Sequence, residues 1–216
     1  MRTLYFSRNP NPRLAVATAK HLKSKVEFVW ASPFDSAQSE RFRKLNPSLS
    51  IPILVEGETS LWEADAIVCR LSMLAGSTFW RLDAELPELI RWISWGKANF
   101  VHACDMVHFE FGTKQRYALG PVDPVKVADG EALFRASAEH LDAYLENRHF
   151  LLDSGLSYAD FRMATFLPFN AAAGLPLTDY PSISRWYDRL SLIPAWADPF
   201  NGLAAPELPF VPPRFD

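Results

Sequence analysis

At 216 residues the chain has room for one large domain or two small ones, and 49% hydrophobic against 22% charged residues excludes a disordered or fibrous polymer. A formal net charge of -3 gives no long-range pull on phosphate backbones, which argues against a nucleic-acid partner. Two cysteines, Cys69 and Cys104, stand far apart in apolar helix-like stretches; they are too few for a disulfide framework and read as buried thiols in a reducing compartment.

The first residues, Met1 to Asn9, turn polar too early for the apolar centre of a secretory leader, and no apolar run is long enough to span a bilayer. A cytoplasmic protein that does not enter membranes is expected. Thr3–Ser7 is short, apolar and aromatic, and predicts a strand that ends at the turn residues Arg8-Asn9-Pro10-Asn11-Pro12. Asn11 before Pro12 has the form of a cap followed by a first-position proline, and apolar residues at Leu14, Ala15, Thr18, Ala19 and Leu22 keep helical spacing to about Lys23. Val26–Trp30 reads as a second strand, which makes a strand-helix-strand unit of a parallel pair. A charged helix follows from about Ser36 to Leu45, stopped by Asn46-Pro47. Strands at Ile51–Val55 and Thr59–Trp62 flank the turn Glu56-Gly57-Glu58, and a helix from Glu63 to Leu74 ends near Gly76.

Beyond a linker at Gly76–Leu82 the alternation of strands gives way to helical periods. The spacing predicts one long helix over 87–111 and another over 124–146. Ser157-Tyr158-Ala159-Asp160 has the form of a capping box that opens a third, and shorter helices are expected near 182–190 and 195–200. Pro206–Asp216 holds four prolines and two phenylalanines; it cannot be helical, and its apolar residues suggest that it lies against the body. The reading is an α/β domain over 1–76 and an all-α domain over 83–216.

Two patterns carry a resemblance. The first is Asn46-Pro47-Ser48-Leu49-Ser50-Ile51-Pro52-Ile53-Leu54-Val55, followed after a turn by Leu61-Trp62-Glu63-Ala64-Asp65-Ala66-Ile67. The second is Leu156-Ser157-Tyr158-Ala159-Asp160-Phe161. Together, at this separation, they resemble the glutathione transferase superfamily over nearly the whole chain. The resemblance implies a thioredoxin-like front domain, an all-helical back domain, a cytoplasmic homodimer and glutathione as co-substrate. It also implies a cis bond before Pro52, a geometry that only an X-Pro pair takes up cheaply. The tripeptide would then pair as an added strand with the backbone at Ser50, Ile51 and Pro52. Its γ-glutamyl carboxylate would dock on the start of the following helix at Glu63 and Ala64.

Two departures stand out. Ala64 occupies the place of an expected serine, and Ser50 that of a frequent lysine; Arg41, Arg43 or Lys44 are substitutes for the latter on the neighbouring helix. Relatives activate the thiol with a Tyr, Ser or Cys just after the first strand. Here the slot at the helix start holds Asn11, with Ser7 and Asn9 as competing donors and Arg8 or Arg13 as sources of positive potential. The second substrate, a small hydrophobic electrophile, is implied to rest against the first long helix of the back domain. There Trp92, Trp95, Asn99, His102 and Met106 fall at steps of three or four, with Trp95, Asn99 and His102 as the candidate contacts. His108 and His140 have no metal-ligand spacing, so no metal is expected. The alternative is a binding protein of the same fold without catalysis, favoured by Ala64 and Ser50.

Overall fold

A computed structural model describes residues 1–214, which divide into two compact units, Met1–Trp80 with Ile193–Glu207, and Arg81–Leu192 with the residues from Leu208. In the first unit the elements run β1 (Arg2–Phe6), α1 (Pro10–His21), β2 (Glu27–Trp30), α2 (Ser36–Leu45), β3 (Ile53–Glu56), β4 (Thr59–Trp62) and α3 (Ala64–Leu74). The four strands form one mixed sheet in the order β2-β1-β3-β4. β1 and β2 are parallel, whereas β3 lies antiparallel to both β1 and β4.

Alternation along the strands divides the core between two faces. Leu4, Phe6 and Leu54 pack with Ala15, Val16 and Ala19 of α1 and with Ile67 and Leu71 of α3. Tyr5 and Ile53 point the other way, to Phe42 of α2 and to Ala31. Each fully buried Leu, Ile or Phe contributes roughly 1.5–3 kcal/mol against leaving it in water.

The segment 193–207, which the sequence reading grouped with the helical domain, packs instead in the first unit. It includes α11 (Pro194–Ala197), which follows the helices of the second unit in the chain. Phe200 stacks on Phe6 at 5.9 Å, Trp196 lies under the Arg13 guanidinium at 4.6 Å, and Lys20 donates to the Asn201 carbonyl at 2.9 Å.

The second unit is helical: α4 (Leu86–Ala98), α5 (Phe100–His108), a π-helical turn at Phe109–Thr113, α6 (Lys114–Tyr117), α7 (Pro124–Leu145), α8 (Tyr158–Met163), α9 (Asn170–Ala173) and α10 (Pro181–Ser191). The single helix expected over 87–111 is thus broken. Asn99, at φ -129° and ψ -97°, leaves helical space, and its side-chain amide turns back to the Trp95 carbonyl at 2.8 Å. That local bond competes with the helix backbone, as Asn side chains do. Gly130 lets α7 approach α5 closely, because a Cβ there would stand 2.9 Å from Val107. The capping box at Ser157 forms as expected; Asp160 is fully buried and accepts from the amides of Leu151 and Ser157 and from Trp186 Nε1.

Candidate functional site

Strand register gathers the first-unit candidates at one end of the sheet. Tyr5 stands opposite Ile53, and Ile53 opposite Trp62. One or two residues further along each strand, on the same side, come Ser7 after β1, Ile51-Pro52 before β3, and Glu63 after β4. The parallel start of α1 adjoins the same end, since it follows Ser7 directly.

The Ile51–Pro52 bond is cis, as the resemblance implied. β3 begins only at Ile53, two residues later than expected, so Ile51 and Pro52 stand outside the ladder. No hydrogen bond from another described residue reaches the amide or the carbonyl of Ile51. A buried backbone group nearly always has a partner, and one left open at a sheet end is a place for an added chain.

The approach to Ile51 is held by Asn46, which is wholly buried. Its side-chain nitrogen donates to the Ser50 carbonyl at 2.8 Å and to Ser50 Oγ at 3.0 Å, while its oxygen accepts from the amide and hydroxyl of Ser48 at 3.1 and 2.9 Å. The hydroxyl of Ser50 is therefore engaged within its own loop. The sequence reading took Asn46-Pro47 as a helix stop and as the opening of the family pattern; the signal it passed over is an Asn whose amide can satisfy four loop groups at once.

Glu63 heads α3 at φ 72° and ψ 125°, with no side-chain cap. A non-glycine residue at positive φ costs on the order of 1–3 kcal/mol and tends to occur where the backbone is shaped for a task. Here it turns the exposed Glu63 carboxylate outward at the head of the helix, where the first-turn amides attract a negative group. Ala64 is 4% exposed and closes that turn without a hydroxyl.

At the start of α1 the structure corrects the expected cap. Pro10 takes the first helical position and Asn9, not Asn11, is the cap residue, so Asn11 lies exposed in the second position of the helix. Proline fits there because its φ is already helical and its missing donor is not needed. Asn9 makes no capping bond with its side chain, which donates instead to Ser7 Oγ at 3.1 Å, and its backbone amide reaches the same oxygen at 3.4 Å. Ser7 thus accepts twice, and no acceptor for its own proton is found among the described residues. Tyr5 belongs to the strand itself. Its hydroxyl accepts from Arg41 at 2.6 Å and its ring meets Phe42 edge-on at 5.1 Å, on the face that α2 covers. Arg8 and Arg13 are likewise committed within the unit: Arg8 pairs with Glu207 at 2.7 Å over the ring of Phe200, and Arg13 donates to the Trp196 carbonyl.

Trp95, Asn99 and His102 belong to the second unit. The break at Asn99 removes the single continuous face on which they were expected. Trp95 is half-buried between Trp92 at 5.5 Å and His140 at 5.2 Å, Asn99 closes the break, and His102 is exposed. Trp92 is core, packed on Tyr144 at 4.4 Å. Cys104 is buried, and burial pushes its thiol well above the usual range; Cys69 is only half-buried. Among the described residues no cluster of His, Cys, Asp or Glu could hold a metal ion.

The family model for the glutathione S-transferase C-terminal domain matches residues 124–189, from the start of α7 into α10. Over these residues the chain is similar to the glutathione S-transferase C-terminal domain. A dichloromethane dehalogenase of Methylorubrum extorquens (strain DSM 6343 / CIP 106787 / DM4) is 28% identical over 171 residues, which cover 73% of this chain but only 59% of that protein, less than two thirds of its length. The architecture is that of solved glutathione transferases. A glutathione S-transferase from Rhodospirillum rubrum F11 gives a TM-score of 0.82 at 23% identity, covering 99% of this chain and 97% of the other. Glutathione S-transferase-I bound with lactoylglutathione gives 0.82 at 20% identity, covering 92% and 97%. No described helix is long and apolar enough to cross a membrane.

Proposed function

We propose that the chain binds glutathione at the end of its first-unit sheet and transfers the thiolate to a small hydrophobic electrophile. The observation that carries this reading is the open backbone of Ile51 beside the outward-turned Glu63. The cysteinyl part of the tripeptide pairs with Ile51, the γ-glutamyl carboxylate lies on the first amides of α3, and Glu63 faces its amino group. The match of residues 124–189 to the glutathione S-transferase C-terminal domain and a structural neighbour bound with lactoylglutathione support the choice of ligand.

Thiolate formation falls first to Ser7. A free thiol has a pKa near 8.5, so only a few per cent is ionised at neutral pH. Asn9 saturates the acceptor side of Ser7 and leaves its proton to donate. A hydrogen bond to a charged sulfur is worth about 1.5–3 kcal/mol, enough to lower the thiol by about one to two pH units. Asn11, exposed in the first turn of α1, is the second donor. Trp95 and His102 are proposed contacts of the electrophile. A homodimer and residence in the cytoplasm are proposed on the family alone.

Two measurements separate this from a binding protein without catalysis, a reading favoured by Ala64 and the engaged hydroxyl of Ser50. Calorimetric titration with glutathione tests the site; no heat of binding at millimolar ligand removes both the ligand and the reaction. If glutathione binds, turnover of haloalkane and aromatic halide substrates distinguishes a transferase from a carrier.

A further inference from the structure

The stretch from Pro206 to Arg214 takes no part in the site above, yet it is held in a defined way. Prolines at 206, 209, 212 and 213 fix four φ angles, and each pushes the residue before it into extended backbone, so Ala205, Leu208 and Val211 are restrained as well. No helix or strand forms over 204–214. From Leu208 on, exposure repeats every third residue: Leu208, Val211 and Arg214 are half-buried, whereas Pro209, Phe210, Pro212 and Pro213 are exposed. A β-strand would alternate every second residue; three per turn is the period of polyproline II.

One ridge of the segment therefore lies on the protein and two face outward. The inner ridge is anchored by Arg214, whose guanidinium donates to Glu131 at 3.1 Å and to the Ala173 carbonyl at 3.2 Å and stacks on Phe111 at 4.1 Å. The Arg214 amide also donates to the Ala171 carbonyl at 2.7 Å. Gly174, at φ 66°, leaves the room this requires, since a Cβ there would stand 3.1 Å from the Arg214 side chain. Near the start of the stretch, Glu207 is tied to Arg8 at 2.7 Å. Between these two anchors there is no charged side chain, and the outer ridges carry Phe210, 84% exposed.

We propose that Pro209–Pro213 is a docking strap for a partner protein with an aromatic-lined groove of the kind that reads polyproline II segments. Such grooves take exposed proline ridges between their rings. The strap is already held extended by its prolines and is pinned at Arg214, so less conformational freedom is lost on docking. Phe210 is the anchor that fills a pocket, and the lack of charge makes the contact apolar and weakly dependent on salt.

The test titrates the intact chain with a panel of purified WW and SH3 domains, which serve as the groove-bearing probes. At least one domain binds, and Phe210→Ala and Pro212→Ala each weaken it by roughly tenfold while circular dichroism shows the fold retained. Both side chains are exposed, and neither is part of the glutathione site, so glutathione titrations of the same variants remain unchanged. Failure of the whole panel to bind, or binding indifferent to both substitutions, overturns the proposal. So does sedimentation that shows wild-type self-association abolished by Phe210→Ala, which would give the strap to a second copy of the chain.

Discussion

Ser7 and Ala64 set the chemistry of the proposed site in opposite directions. Ser7 has its oxygen saturated by Asn9 and its proton to give, so Ser7→Ala raises the apparent pKa of bound glutathione thiol by about one to two units, read from thiolate absorbance against pH. The same titration of Asn11→Ala shifts less, because Asn11 is exposed to water, which screens a donor there, whereas Ser7 is buried. An unshifted profile in Ser7→Ala would move the role to the helix start. Ala64 lacks a hydroxyl where the γ-glutamyl carboxylate is placed. Ala64→Ser supplies one neutral hydrogen bond, worth about 1 kcal/mol, and tightens glutathione about fivefold by calorimetry. The sequence showed these residues but not their order of merit. Asn11 had the form of a cap before a proline, and only the earlier start of α1 at Pro10 reveals that Asn9 is the cap and that its side chain serves Ser7.

Elements place those residues, and two of them carry measurable signatures. The turn from β4 into α3 forces Glu63 to φ 72°. Glu63→Gly relieves that angle while freeing the unfolded chain, so stability stays within about 0.5 kcal/mol, whereas the β-branched Glu63→Val costs about 1–3 kcal/mol in denaturant melts. Both lose glutathione affinity with the carboxylate. In the second unit the π-helical turn after α5 buries His108 between Phe166 and Phe169. Arg116 lies 2.9 Å from His108 Nε2, and since guanidinium only donates, that nitrogen is the acceptor. Burial, with Arg116 beside it, lowers the pKa of His108 to about 4. The depressed value means the unfolded chain takes up a proton near pH 6.5 that the native one refuses. Stability is therefore full above that pH and falls as pH drops toward 4, by about 2 kcal/mol at pH 5. His108→Gln, which keeps a side-chain acceptor for Arg116 and does not titrate, flattens this part of the profile of thermal unfolding against pH.

Across the whole molecule, local grammar was legible and long-range partners were not. The four strands, the charged α2 and the capping box at Ser157 follow from period, turn chemistry and a serine three residues before an acid. The break at Asn99 does not, because one side chain bonded to the Trp95 carbonyl outweighs a helical period that reads straight through it. Nor does the packing of 193–207 on α1, which rests on Phe200, Trp196 and Glu207 finding Phe6, Arg13 and Arg8 some 180 to 200 positions away. Of the proposed site, Ile51-Pro52 and Glu63 were visible as a family pattern; Asn46 as the buried organiser of the loop and Arg41 as the partner of Tyr5 needed coordinates. The central claim is that glutathione pairs with the backbone of Ile51, and amide hydrogen exchange at that residue measures it most directly. With saturating glutathione the Ile51 amide becomes protected while amides at the far end of the sheet keep their rates. Glutathione bound with Ile51 exchanging as freely as before would contradict the account.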